Sequence, residues 1–337
     1  MAYTTINDGK IYFNTKLYTG NGSSTQAITG VGFQPDWVWI KNRTDAHWHN
    51  LTTAVNGPAK TLRSNTTTAE VDNSSSGYVS VFGADGFTVA EGSSDAEEVN
   101  TNSDNYVSWN WLGAGTTPSK TYAVTVVSDS GNKYRFDGFG TSAVTLELSE
   151  GGTYTFDQSD ASNDGHPLRF ATAADAAGST EYTTGVTTNG TPGNAGAYTR
   201  ITVAASAPTL YYYCSSHSGM GGQANTPTTN SFSNFSGTIQ TNISPNTAAG
   251  FSAISFTGNG SAGATVGHGL SSVPKFIVVK TRSTTANWIT YNVYNGNTNY
   301  MYFNTNGATA ATVQAWNNTS PTSSVFSLGN SSEVNGS

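Results

Sequence analysis

The run Tyr211-Tyr-Tyr-Cys-Ser-Ser-His-Ser-Gly-Met-Gly221 places the only cysteine of the chain, Cys214, three residues before His217 and six before Met220. Thiolate, imidazole and thioether are soft donors, and a His₂Cys set with a weak axial Met is the ligand signature of blue-copper sites. Such a set needs a second histidine. His166 supplies it, in Asn163-Asp-Gly-His-Pro-Leu-Arg-Phe170, just after the strand-like Gly152-Thr-Tyr-Thr-Phe-Asp157. With five His and three Met in 337 residues, chance is a poor explanation of this spacing around one cysteine. A single cysteine also excludes an intrachain disulfide, so stability must come from burial, oligomerisation or metal.

Donors so far apart in sequence need a frame that holds them, and the composition indicates its kind. Charged residues make up 10% and aromatics 12%, against about 25% charged in an average domain. Gly, Ser, Thr and Asn suit turns and strands, while 7 Trp, 17 Tyr and 15 Phe exceed what disorder tolerates. We therefore expect an all-β chain. Tyr18-Thr-Gly-Asn-Gly-Ser23 returns as Phe256-Thr-Gly-Asn-Gly-Ser261, and Pro35-Asp-Trp-Val-Trp-Ile-Lys41 returns as Pro274-Lys-Phe-Ile-Val-Val-Lys280. Arg43 matches Arg282, and Trp48 is matched to Trp288. Such self-similarity across unlike sequence implies a duplicated module with a different domain between the copies. The expected order is β-sandwich module A at 1–115, an inserted domain at 116–226, a linker at 227–249 and module B at 250–337. Module A has alternating strands, Asp36 to Lys41 and Tyr106 to Leu112, and an Asp85-Gly86 hairpin signal. It ends at a flexible Gly113 to Ser119 stretch. Module B has nothing to match Tyr106 to Leu112, so we expect a longer native product or a strand supplied by another chain.

The insert resembles the cupredoxin family, whose members place the first ligand His after an early strand and a Cys-His-Met loop between the last two strands. The spacing Cys214, His217, Met220 resembles the short amicyanin-type loop. The resemblance covers about Tyr122 to Gly222. It implies a Greek-key β-sandwich with one type 1-like copper site, His166, Cys214 and His217 being equatorial and Met220 axial. The stretch Ala171 to Ser206 is long for the family, and Ser231 to Gln240 is the candidate for its closing strand.

Other residues support blander readings. Trp37/Trp39 and Trp109/Trp111 each line one face of a strand and could stack sugars. Module B has Val278 in place of Trp39, and a Val replaces a core residue but not a sugar platform, so we expect sandwich core. His47 and His49 could chelate a metal weakly but read as surface residues. The acidic segments Glu91 to Asp104 and Asp157, Asp160, Asp164 lack EF-hand spacing and read as solvated turns. Sequons such as Asn50-Leu-Thr52 follow from composition. No G-x-S-x-G, H-E-x-x-H or Walker loop occurs, and five histidines cannot supply a copper oxidase, so no enzyme is expected. A net charge of −7 with scattered Lys and Arg gives no stripe for nucleic acid. No stretch approaches the apolar length of a membrane span, and Met1 to Gly9 lacks a basic start followed by an apolar run, so neither membrane anchoring nor a signal peptide is expected.

Taken together, Tyr18-Thr-Gly-Asn-Gly-Ser23, Pro35 to Arg43, Thr265-Val-Gly-His-Gly-Leu270, Pro274 to Lys280 and Tyr211 to Gly222 resemble structural proteins of marine tailed bacteriophages, including cyanophages. That resemblance implies a tail-fibre, appendage or decoration protein, homo-oligomeric and in contact with other virion proteins. It also implies a virion location after assembly in the host cytoplasm and, as a further partner, a host receptor or glycan. The alternatives are a surface-tethered type 1 copper electron carrier and a lectin.

Overall fold

The computed structural model describes residues 6–94 and 98–337; the first five residues, and Asp95, Ala96 and Glu97 of the acidic segment, lie outside the described residues. The chain is all-β, built of several sheets in sandwich arrangements. The only α-helices among the described residues, Val313–Trp316 and Ser332–Asn335, are single turns. Contacts divide the chain into two compact units, one made of Met1–Gly115 with Ile243–Ser337, the other of Thr116–Asn242. Both copies of the module therefore belong to one unit, where the sequence suggested two separate domains.

In module A, a six-stranded sheet runs in the order Phe13–Thr19, Asn105–Trp111, Trp37–Asn42, Asn50–Thr53, Lys60–Leu62, Val71–Asp72. A second sheet contains Thr25–Thr29, Gly86–Ala90 and Tyr78–Gly83, the last two joined by the expected hairpin at Asp85. Period-two alternation explains the packing. Val38 and Ile40 point inward and are fully buried against Val79, Phe87 and Val89 of the second sheet.

Trp37 and Trp39 therefore occupy the opposite face, outside the module A sandwich core in which the sequence placed them. There they are half-buried against a second apolar cluster. Trp39 packs against Trp109 with ring centroids 5.4 Å apart and against Phe303 at 6.0 Å; Trp37 packs against Trp111 at 6.2 Å and Phe251 at 6.1 Å. Phe251 and Phe303 belong to module B, as do Trp288 and Val278 of the same apolar cluster. Full burial of such a side chain contributes roughly 1.5–3 kcal/mol, so these half-buried rings each add a part of that to holding the two modules in one unit.

Module B repeats the sheet as Phe276–Val279, Ile289–Asn292, Asn299–Tyr302 and Ala310–Ala311, and the second sheet as Thr265–Gly267 with Val325–Ser327. Strand register corrects one detail of the repeat. Ile40 pairs with Asn50, and its equivalent Val279 pairs with Ile289. Trp288 thus stands at the place of His49, not of Trp48. Burial explains the difference: Trp288 is 2% exposed and donates its indole N–H to the carbonyls of Arg63 and Thr66, whereas Trp48 is 51% exposed beneath the Arg63 guanidinium. Phe251–Phe256, the counterpart of Phe13–Thr19, is paired with Thr241–Asn246, and Phe276–Val279 is an edge strand with no described strand on the side where Asn105–Trp111 joins Trp37–Asn42 in module A.

Neither expected linker is loose. Gly113 and Gly115 donate their backbone N–H groups to the buried Asp36 carboxylate, and Ala114 donates to Ser244 Oγ at 2.9 Å. Most of the stretch read as a linker at 227–249 is packed structure. Leu148 bridges to Phe232, Tyr122 Oη donates to Ser233 O, and Phe235 stacks on Phe136 at 6.0 Å, so residues 227–242 complete the insert. A composition rich in Thr, Ser and Asn concealed the two phenylalanines that decide this.

The insert has two sheets. One runs Asn132–Phe136, Ser119–Ser128, Thr153–Asp157, Tyr198–Thr202, Val186–Asn189; the other runs Leu146–Glu147, Gly222–Asn225, Leu210–Cys214, Leu168–Ala171. Ser119–Ser128 and Thr153–Asp157 pair in parallel. Tyr122, Tyr134, Phe136, Tyr154, Phe156, Phe170 and Tyr212 fill the core, each at most 1% exposed.

Candidate metal centre

Strand pairing brings the distant ligands together. Leu168–Ala171 runs antiparallel to Leu210–Cys214 with Leu168 opposite Cys214, so His166, two residues ahead of Leu168, arrives beside the cysteine. The Cys214 Sγ lies 3.8 Å from His166 Nδ1 and 3.7 Å from His217 Nδ1, and the two imidazole centroids are 4.6 Å apart. Metal–nitrogen and metal–sulfur bonds of about 2.0 and 2.3 Å meeting at about 120° hold N and S about 3.7 Å apart. The donor types and their separations fit one transition-metal ion. Met220 is 1% exposed on the same loop, its carbonyl accepting the N–H of Tyr134 at 3.0 Å.

Neighbouring groups hold this geometry. His166 O accepts from Gln158 Nε2 and from Tyr134 Oη, both at 2.9 Å, and Gln158 Oε1 accepts the N–H of Leu168 at 3.1 Å. Ser215 N donates to Pro167 O at 3.1 Å, tying the two ligand segments backbone to backbone. In the Cys-His-Met loop, Gly219 N donates to Asp175 Oδ2 at 2.7 Å, and Lys133 Nζ donates to Gly219 O. Such outer contacts orient ligands before any ion arrives. Partial burial, and then the neighbouring His217, lower the His166 pKa below 6.5, which favours the neutral imidazole that a metal requires. Cys214 is 4% exposed, and His217 lies at the surface.

Gly221 closes the loop back onto the Leu210–Cys214 strand, where a Cβ would collide with Tyr212 O. Gly221→Ala is therefore expected to cost roughly 1–3 kcal/mol, as overpacking does. A thermal melt checks this; an unchanged midpoint would show that the loop can move aside.

The other candidates separate. His47 and His49 do not act as a pair: His49 Nδ1 accepts the indole N–H of Trp39 at 3.1 Å, while His47 gathers with Asp45 and Asp104, their ligand atoms all within 4.8 Å of one another. That second group went unread because its acids lie 59 residues apart, Asp45 to Asp104, and no local spacing links them. Asp157 and Asp160 cap turns by accepting the N–H groups of Ser159 and Ser162. No helix among the described residues is long and apolar enough to cross a membrane.

Fold and site define a class: an all-β protein of duplicated modules whose inserted domain carries a His₂Cys group of metal-ligand type. The chain belongs to the family described as domain of unknown function DUF7483, matched over residues 8–155 and 223–337. No curated protein and no solved structure matches it. The internal unmatched stretch, 156–222, contains His166, Cys214, His217 and Met220. The family pattern thus covers the modules together with the first strands and the closing segment, 223–242, of the insert, and the candidate ligands fall outside it.

Proposed function

We propose that this chain is a structural protein of a tailed-phage virion, serving attachment or display, and that its cupredoxin-like insert binds one copper ion. The observation that carries the metal reading is the convergence of His166, Cys214 and His217, drawn from segments 48 residues apart, at 3.7–3.8 Å. His166, Cys214 and His217 would hold the ion, with Met220 as weak fourth ligand. Bound copper supplies a soft cross-link between two loops of the insert, and binding to the folded form alone stabilises it. The virion reading is supported by the motif resemblance and by the duplicated polar β-modules, which suit display, contact with further copies and other virion proteins, and recognition of a host receptor or glycan. Negative-stain imaging of purified phage with an antibody to this chain tests it. Label on the particle is expected; label confined to host material would overturn it.

A second reading, a tethered copper electron carrier, is favoured by the exposure of His217, which gives a bound ion one ligand at the surface. It requires an intense visible charge-transfer band and reversible redox cycling. A colourless protein after copper loading removes it.

A further inference from the structure

The two copies of the module differ at the buried Arg63–Glu98 pair. In module A, the Arg63 guanidinium donates from Nε and Nη2 to Glu98 Oε1 at 3.1 and 2.5 Å, and Glu98 Oε2 accepts from Asn73 Nδ2 at 2.8 Å and Asn50 Nδ2 at 3.3 Å. Strand register locates the same places in module B. Leu51 pairs with Leu62 as Thr290 pairs with Met301, which puts Tyr302 where Arg63 stands. Lys60 pairs with Asp72 as Asn299 pairs with Ala311, which puts Thr312 where Asn73 stands.

Glu333 is the counterpart of Glu98. Asn100, two residues beyond Glu98, accepts from Gly22 N and Asn21 N and donates to Ser23 O; Asn335, two beyond Glu333, accepts from Gly260 N and Asn259 N and donates to Ser261 O. Module B thus retains the carboxylate and replaces the arginine with tyrosine.

A cavity of about 80 Å³ opens at this place, bounded by Ile289, Tyr300, Thr312, Gln314, Ser331 and Glu333. Ile289, Thr312 and Glu333 stand where Asn50, Asn73 and Glu98 surround the guanidinium in module A. The volume is well above the roughly 10–15 Å³ that one water needs. Tyr302 turns its hydroxyl to that of Tyr300 at 3.3 Å. Lys280 donates its ammonium to the carbonyls of Thr281 and Thr284, as Lys41 does to those of Asn42 and Asp45, and its charge also acts on the Glu333 carboxylate without a hydrogen bond between them. Glu333 Oε1 accepts from Asn287 N and Nδ2, each at a long 3.3 Å.

We propose that the module B cavity binds a guanidinium group from outside the module, with the Glu333 carboxylate as its anchor. Module A shows the chemistry within the same fold: a planar cation whose N–H fork meets a carboxylate through charge-assisted hydrogen bonds. The cation can be a free guanidinium compound or an arginine side chain of another polypeptide. The test titrates the full chain calorimetrically with methylguanidinium, with methylammonium and with a blocked Gly-Arg-Gly peptide. Saturable binding is expected for both guanidinium probes, weaker for methylammonium, and about ten-fold weaker or more in Glu333→Gln, a factor that one modest ionic contact supplies. Tighter binding of the peptide supports an arginine of a partner; tighter binding of methylguanidinium supports a free compound. Tyr302→Arg is expected to fill the cavity from within, raising the melting temperature and abolishing binding. The proposal is overturned if neither guanidinium probe binds, or if Glu333→Gln titrates like the parent. Should Glu333→Gln fail to fold, undiminished binding by a folded Tyr302→Arg protein overturns it alone.

Discussion

Cys214→Ser is expected to abolish the copper-dependent rise in melting temperature of the protein. A ligand present at about 1,000 times its dissociation constant stabilises the folded state by about 4 kcal/mol. For a unit the size of Thr116–Asn242, that corresponds to a shift on the order of 10 °C or more. The thiolate is the soft donor of the set, and a serine hydroxyl is neither soft nor ionised at neutral pH. Because Cys214 is nearly buried, the substitution also carries a packing cost in the absence of metal. The informative quantity is therefore the difference between melts with and without copper for each protein. An equal rise in parent and variant would place any bound copper elsewhere, and no rise in the parent would end the metal reading.

Arg63→Met is expected to be the most damaging single change outside the insert, and its cost should depend on pH. The Arg63 and Glu98 side chains are 13% and 2% exposed, and breaking a buried pair from one side costs about 3–5 kcal/mol because the remaining charge is desolvated and unpaired. Burial already raises the Glu98 carboxyl above its ordinary value of 4.5, although Arg63, Asn50 and Asn73 oppose it. Removing Arg63 removes the first of those opposing influences, so the folded-state pKa rises further. A carboxyl whose folded pKa lies above its unfolded value contributes its full stability below the unfolded pKa. That contribution is lost as pH rises through the folded pKa. The variant should accordingly be far weaker than the parent at pH 7, with the gap narrowing toward pH 4, where Glu98 is mostly protonated in the unfolded chain as well as in the folded one. Denaturant titrations at the two pH values measure this. A gap of equal size at both would assign the loss to packing of the arginine stem, not to the stranded charge. Adding Glu98→Gln to Arg63→Met should recover much of the loss at pH 7.

The fold and the candidate centre were legible to different depths. Cys214, His217 and Met220 could be read together because a short loop enforces proximity whatever the surrounding fold. His166 was legible through its donor type and its place after a strand. The all-β character followed from composition, and the duplication from motifs such as Thr-Gly-Asn-Gly-Ser, whose turns are made by local hydrogen bonds. The two linkers were misjudged for a common reason. Gly113 to Gly115 and residues 227–242 look polar and loose, yet Asp36, Ser244, Phe232 and Phe235 hold them through partners remote in sequence.

Alternation told us that Trp37 and Trp39 share a face, but not what covers that face. Their partners Phe251 and Phe303 lie more than 200 residues away, and no local period encodes such a pairing. The same holds for Arg63 with Glu98, for Asp45 and His47 with Asp104, and for the cavity that opens where Tyr302 replaces arginine. By itself the sequence determined the strand content, the repeat and the donor types, because periodicity, turn chemistry and side-chain identity are local properties. Tertiary structure alone decided which faces became core, which carboxylates gained a cation and how far Cys214 Sγ stands from two imidazoles. Those depend on strand register and on distances between segments, which a linear order of residues does not contain.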